Sequence, residues 1–284
     1  MSIQFSLICP SVRPQYWNNI CDSLLDNKLE WEILFVGPFP PMESGYKDLP
    51  KNARWIETSV KPAQCTHIGF TEARGEFVSI TADDCTYFTP NHKGALDNMY
   101  NFIKTFPEAD KHKNTEAKIY NRDKMVYGFR MFEDRFCAET SHTHYFVAKD
   151  RILPAHQRSS SLLYPFFVIA NGVYQELGGY DTRFITGQCE NDFLFRVHLT
   201  HGFTENSLCP TAMVWALHDK HNNSGSFRKY HAKDSETLKK LWIGRKEVTN
   251  EEYFNRYRQE KTVNQYINNN TLYTVSQGEK GEWI

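Results

Sequence analysis

The sequence predicts an α/β fold: a single domain with a mainly parallel central sheet flanked by helices, followed by a C-terminal helical extension. Three observations carry that prediction. Short apolar runs closed by proline or glycine alternate with stretches of helical period over roughly the first hundred residues. The links between them have the length of βαβ crossovers, which build parallel sheets. At 284 residues, 40% hydrophobic and 24% charged, the chain is long enough to bury a core without an external staple.

Taken in order, Ile3–Cys9 is an apolar run closed by Pro10 and reads as a buried strand. After Pro14, the residues Trp17, Ile20, Cys21, Leu24 and Leu25 recur at helical spacing. Glu32–Val36 is a second strand, stopped by Gly37-Pro38, and Arg54–Glu57 a short third one. Pro62 opens a helix that runs through Ala73 and is stopped by Gly75. Phe77–Ile80 is a strand that leads straight into Asp83-Asp84, and Pro90 opens a helix carrying Leu96, Met99, Tyr100 and Ile103. The polar stretch from Pro107 to about Ser161 holds strands at Met125–Phe132 and Tyr145–Ala148. Leu162–Ile169 reads as a buried strand entering Asn171-Gly172, followed by a short helix ended by Gly178-Gly179 and a loop to Gly187. A helix from about Asn191 to Thr200, a strand over Thr211–Leu217 and surface helices over Lys233–Trp242 and Glu251–Tyr257 complete the reading.

Composition excludes several classes. Thirty-three Lys and Arg against 34 Asp and Glu give a net charge of −1, which argues against a broad basic face for nucleic acid. The longest apolar stretch, Leu162–Ala170, is too short to span a bilayer, so no transmembrane segment is expected and a cytoplasmic location is. Seven cysteines without a CxxC pair argue against both a disulfide framework and a thiolate zinc site. The aromatic share, 14%, suits a large mixed core and also a cleft that stacks flat rings.

In parallel sheets ligands bind beyond the carboxyl ends of the strands, where Pro10–Arg13, Gly37–Pro41 and Asp83-Asp84 would meet. Two adjacent acids at a strand end suit a divalent cation bridging a diphosphate, or else a plain turn pair. Glu190 and Asp192 open a helix after a glycine-bearing loop; one is a candidate general base, and Arg196 stands four residues beyond Asp192. His218 and His221 follow a strand and are candidates for a third metal ligand. Arg13 and Lys61 are candidate partners of a diphosphate, with solvated surface charge as the alternative. Residues 228–261 carry ten Lys and Arg against six Asp and Glu, a stretch that suits a phosphate backbone, an anionic membrane or a solvated helix face.

Together these segments resemble an inverting glycosyltransferase of family 2 with the GT-A fold. The resemblance lies in FSLICPSVRP (5–14), EILFVG (32–37), ARGEFVSITADDCTYFTP (73–90) and LGGYDTRFITGQCENDFLFRVHLTHGF (177–203). It implies a nucleoside-diphosphate sugar as donor, UDP-sugar favoured, and Mn²⁺ or Mg²⁺ as cofactor. Asp83 matches the acid that binds the metal, with Asp84 assisting and His218 matching a histidine that some members place on it. Pro10, Ser11, Arg13, Lys61, Asn171 and Gly172 are the further donor-binding candidates. Asp192 is the preferred base, with Glu190 as its substitute, because Glu190-Asn191-Asp192 aligns in two registers. Two departures stand out: Thr81 occupies the first acid position of the Asp-x-Asp motif, and Gly37-Pro38 replaces the acid that contacts the nucleobase.

The implied reaction is a single in-line displacement onto an acceptor hydroxyl, a glycan favoured, with a modified nucleic-acid base as the alternative acceptor. The implied domain spans residues 1–225, with a nucleotide-binding part at 1–106 and an acceptor-binding part at 107–225; residues 226–284 form the extension and tail. A nucleotidyltransferase and a sugar- or nucleotide-binding protein without turnover are the competing readings. The first lacks the expected glycine-rich loop after the first strand.

Overall fold

The computed structural model describes residues 2–41, 49–90, 94–107, 109–110, 118–119, 121–133, 138–139, 145–148, 151–154, 164–181, 183–201, 207–217 and 225–242. Its strands are β1 (Phe5–Pro10), β2 (Trp31–Gly37), β3 (Ala53–Glu57), β4 (Phe77–Ile80), β5 (Cys85–Phe88), β6 (Ala109–Asp110), β7 (Lys118–Ile119), β8 (Tyr127–Glu133), β9 (Ala138–Glu139), β10 (Tyr145–Ala148), β11 (Arg151–Pro154), β12 (Phe167–Ala170) and β13 (Leu208–Ala216). Its helices are α1 (Trp17–Asp22), α2 (Pro62–Glu72), α3 (Ala95–Thr105), α4 (Asn171–Glu176), α5 (Cys189–His201) and α6 (Gly225–Trp242).

The main sheet runs β3-β2-β1-β4-β12-β8-β13-β5, with β9 added on β8. The α/β class is therefore the one expected, and the β3-β2-β1-β4 half is wholly parallel. The other half is mixed: β12 runs antiparallel to both β4 and β8, and β13 is parallel to β8 but antiparallel to β5. The cause is connection length. Only Thr81–Asp84 separates β4 from β5, far less than a parallel crossover needs, so β5 leaves to pair with β13 at the far edge.

Side-chain alternation along β1 sorts the helices to two faces. Phe5, Leu7 and Cys9 meet Trp17 and Ile20 of α1 and Leu96, Met99 and Ile103 of α3. Ile8, with Val78 and Ile169, joins Phe70 of α2, Tyr174 of α4 and Phe193 and Leu194 of α5. Leu238, Leu241 and Trp242 belong to that same buried cluster, so the helix expected as an appendage packs into the main core. Phe70 stacks on Tyr174 with ring centroids 4.2 Å apart, a contact worth about 0.5–1.5 kcal/mol beyond burial itself.

Several boundaries differ from expectation. α3 begins at Ala95, not near Pro90, because Asn27 Oδ1 accepts from the backbone N–H of Leu96 (2.8 Å) and Asp97 (3.2 Å) and satisfies that end of the helix. α1 ends at Asp22, which leaves Leu25 exposed. Gly178 and Gly179 do end α4, with φ of 79° and 72°. The helix expected over Glu251–Tyr257 lies outside the described residues.

The carboxyl ends of β1, β2, β3 and β4 open on one edge. There Ser11 N–H donates to Val36 O (2.9 Å), Thr58 N–H to Gly37 O (3.2 Å) and Thr81 N–H to Ile8 O (2.8 Å). Gly37 lies so close to this turn that a Cβ on it would overlap the Ser11 carbonyl oxygen. Gly37→Ala is expected to push the Ser11 turn outward and cost about 1–3 kcal/mol. Urea unfolding checks it; an unchanged midpoint would contradict the close approach.

Candidate active site

Asp83 and Asp84 sit in the turn after β4, where Asp83 is 3% exposed. Burying a carboxylate is costly unless its oxygens are paired, and here they are. Ser11 Oγ donates to Asp83 Oδ2 (2.8 Å), as does Arg13 N–H (3.1 Å), while Arg13 Nη2 meets Asp83 Oδ1. The same Nη2 lies 3.0 Å from Asp84 Oδ2, so one guanidinium nitrogen bridges both acids. The Ser11 hydroxyl is oriented in turn, because it accepts from Trp17 Nε1 (2.7 Å), and the indole is fixed by stacking on Phe35 at 4.1 Å. Burial pushes the Asp83 carboxyl above its usual range, with Arg13 pulling the other way. Burial also works against the charge on Arg13, but Asp83 and Asp84 outweigh it and raise its pKa.

Lys61 precedes α2 and is 5% exposed. Its ammonium lies 3.3 Å from the Tyr230 hydroxyl and 4.7 Å from the centre of that ring, on α6. Because α2 follows β3, Lys61 stands on the same edge as the two acids.

The Asp181–Gly187 loop reaches this edge as well. Ala63 N–H, at the start of α2, donates to Ile185 O at 3.1 Å. α5 then begins, with both candidate bases in its first turn. Their surroundings differ sharply. Asp192 is 0% exposed; it accepts from Arg196 Nη2 (2.9 Å) and Nε (3.2 Å) and from Trp242 Nε1 (2.8 Å). Arg196 also donates to Leu177 O (2.6 Å) and Gly179 O (2.5 Å), which locks the loop after α4 against α5. Glu190 is half-buried, and Cys189 Sγ donates to its Oε2 at 3.3 Å. Burial raises the Glu190 pKa above the usual glutamate value, opposed by backbone hydrogen bonds.

Pro10, Ser11, Arg13, Lys61, Asp83 and Asp84 thus share one edge of the sheet, and the loop that leads to Glu190 is tied to it through Ile185. Asn171 and Gly172 do not join them. β12 is antiparallel to β4, with Ala170 opposite Phe77, so these two residues emerge at the opposite edge. Asn171 is occupied there: its N–H donates to Glu76 O (2.9 Å) and its side chain to Ala73 O (3.1 Å) and Gly75 O (3.2 Å). Their expected part in donor binding is corrected accordingly. His218 and His221 lie outside the described residues. Sequence reasoning missed Asp234 and Trp242, two residues of α6 that bond to the elements around Glu190.

At this edge one guanidinium and two carboxylates form a compact charged cluster. Two acid oxygens, Asp83 Oδ1 and Asp84 Oδ2, already converge on one cationic nitrogen, so a hard divalent ion reaching that point would meet both. No group of three His, Cys, Asp or Glu suited to a metal exists among the described residues, so such an ion would complete its shell with phosphate and water.

Comparison with known proteins gives a fold likeness. No protein-family profile and no curated protein matches the chain. Among solved structures it is similar to S. aureus TarS residues 1–349, at TM-score 0.53 and 15% identity over 98% of this chain and 76% of that one. TarS 1–349 in complex with UDP matches at TM-score 0.54 and 14% identity, covering 97% and 74%. The complex with UDP-GlcNAc matches at 0.53 and 14%, covering 99% and 78%. At such identities the likeness is one of architecture: a mixed α/β domain with helices on both faces of one sheet.

Proposed function

We propose that this chain is a glycosyltransferase that moves a sugar from a UDP-sugar to an acceptor hydroxyl. The carrying observation is that Arg13 bridges Asp83 and Asp84 at the sheet edge to which the loop before Glu190 is tied through Ile185. The similarity in fold to TarS, which binds UDP and UDP-GlcNAc, supports the choice of donor. Asp83 and Asp84 would hold Mn²⁺ or Mg²⁺, which supplies charge neutralisation to the leaving diphosphate when bound. Arg13 exchanges its acid partners for diphosphate oxygens, and Lys61 adds a second positive charge to the same edge. Ser11 and the Pro10 backbone border the donor from the β1 side.

The base in this reading is Glu190, not Asp192. Asp192 already holds Arg196 and Trp242 with both oxygens and is closed to solvent. Glu190 is half-buried where Asp192 is fully enclosed, and burial raises its pKa, which strengthens it as a base. It takes the proton of the acceptor hydroxyl as that oxygen bonds to the anomeric carbon and the bond from that carbon to the diphosphate breaks. UDP leaves with the electron pair, and the proton rests on Glu190.

A glycan acceptor is favoured by the rings beside the acids. Phe132 and Trp215 stack with centroids 6.3 Å apart, Phe88 lies 6.3 Å from Trp215, and all three are only partly buried. Leu217 N–H donates to Asp84 O at 2.9 Å, which ties the end of that aromatic strand to the donor edge. Partly exposed ring faces of this kind stack well on sugars. No helix among the described residues is long and apolar enough to cross a membrane.

A thermal melt with nucleotides and Mn²⁺ tests the reading, since a ligand that binds only the folded chain raises its melting temperature. UDP and UDP-GlcNAc should raise it, and ADP should do so less. A shift with ADP alone, or none with any nucleotide, would overturn the donor assignment.

A further inference from the structure

α6 does more than cover the core. Asp234, at its middle, is 0% exposed although Lys233, Lys239 and Lys240 of the same helix are exposed. Its carboxylate accepts four hydrogen bonds from one loop: Ile185 N–H (3.0 Å) to Oδ1, and Thr186 N–H (2.8 Å), Thr186 Oγ1–H (3.1 Å) and Gly187 N–H (3.1 Å) to Oδ2. A buried carboxylate that gathers consecutive backbone N–H groups fixes the path of that backbone. The next residue, Gln188, has φ of 67°, a conformation few side chains adopt and one that needs support from its surroundings. Gln188 O then accepts from Asp192 N–H (3.0 Å), and its Oε1 from Asn191 Nδ2 (2.7 Å), so the turn hands its direction to the first coil of α5. Eight residues after Asp234, Trp242 Nε1 donates to Asp192, two residues beyond Glu190.

We propose that Asp234 is a positioning residue which, with Trp242, fixes the 185–188 turn and the start of α5 and so sets the position of the Glu190 carboxylate relative to the donor edge. The inference rests on Glu190 being the base of the proposed transfer. Asp234 touches neither donor nor acceptor in this role; it acts through the loop. The groups facing Glu190 are the Cys189 thiol on its own helix, the Tyr180 phenol from the loop after α4 and the Asp234 carboxylate from α6. Burial raises both the thiol and the phenol pKa, which keeps them neutral, and the negative charge of Asp234 adds to the upward push on Glu190.

The test uses the full chain with Asp234→Asn and Trp242→Phe, the second keeping a ring in the core while removing the N–H to Asp192. UDP release from UDP-GlcNAc gives kcat and its pH profile; calorimetry gives UDP affinity and the fraction of competent sites. Displacing a reacting group by an ångström lowers rates by up to about 100-fold, so a fall of about 10- to 100-fold in kcat is expected for each variant, with UDP affinity within about twofold. In Asp234→Asn the acid limb of kcat should also move to lower pH, because a negative charge beside the base is gone. A purely structural role predicts a loss of kcat that matches a loss of UDP-binding sites, with the pH profile unmoved, and that result would overturn the proposal. Wild-type kcat in both variants would overturn it too. Glu190→Gln run alongside separates the two ideas: if that variant keeps turnover, the base assignment has failed; if it is inactive while Asp234→Asn is normal, only the positioning role has.

Discussion

Glu190→Gln is expected to lower turnover of a UDP-sugar by about 100- to 10,000-fold, the usual worth of a general base, while UDP binding stays as in the wild type. Glutamine keeps the size of the side chain and loses only its ability to take a proton. The folded chain holds the Glu190 pKa above its ordinary value, so for this group folding favours the neutral form. The sign follows: ionised Glu190 costs stability at neutral pH, that cost fades as pH falls through the raised pKa, and Glu190→Gln should not destabilise the protein at pH 7. In the wild type the acid limb of kcat should therefore lie above the ordinary glutamate pKa of about 4.3, and it should vanish in the variant's residual rate. Asp192→Ala makes the contrast. It strands a buried Arg196 guanidinium and should cost about 3–5 kcal/mol of stability by urea unfolding. If Asp192→Ala folded normally and lost only turnover, the two acids would have to exchange roles.

Asp83→Ala is expected to weaken UDP binding in Mn²⁺ by at least about tenfold and to abolish the contribution of Mn²⁺ to that affinity. The carboxylate removed is the one that gathers Ser11, the Arg13 backbone and the Arg13 guanidinium into a single arrangement, with charge-assisted bonds stronger than neutral ones. Arg13→Ala should act differently on the two ligands. Mn²⁺ alone should bind more tightly, since the guanidinium no longer competes for Asp83 and Asp84, whereas UDP should bind more weakly for want of a phosphate partner. Calorimetry with Mn²⁺, with UDP and with both resolves these effects. Equal UDP affinity in wild type and Asp83→Ala would remove the acid pair from the donor site.

The parallel half of the fold was legible because β1, β2 and β4 are short, mostly apolar runs buried on both faces, and Pro62 and Gly75 bracket α2. The mixed half was not. β5 is four residues long and reads as part of a loop, and nothing local reveals that β12 runs against β4. That hidden direction is why Asn171-Gly172 was expected at the ligand edge: a turn after a strand looks the same at either end of a sheet. Asp192 carried its own warning in Arg196, four residues on, since a pair that close on one helix face satisfies itself. Asp234 was visible in principle. It stands at i, with Leu238, Leu241 and Trp242 at i+4, i+7 and i+8, so it occupies the apolar stripe of an otherwise basic helix. An acid on that stripe has to meet buried donors, but which loop supplies them depends on tertiary contact alone.

A crystal structure of the chain with UDP and Mn²⁺ decides most directly whether the donor binds where the acids converge. The diphosphate should lie against Asp83, Asp84 and Arg13, with the Glu190 carboxylate facing the side from which an acceptor would approach. UDP bound elsewhere, with the Arg13 bridge between Asp83 and Asp84 intact, would contradict the assignment of this edge as the site of sugar transfer.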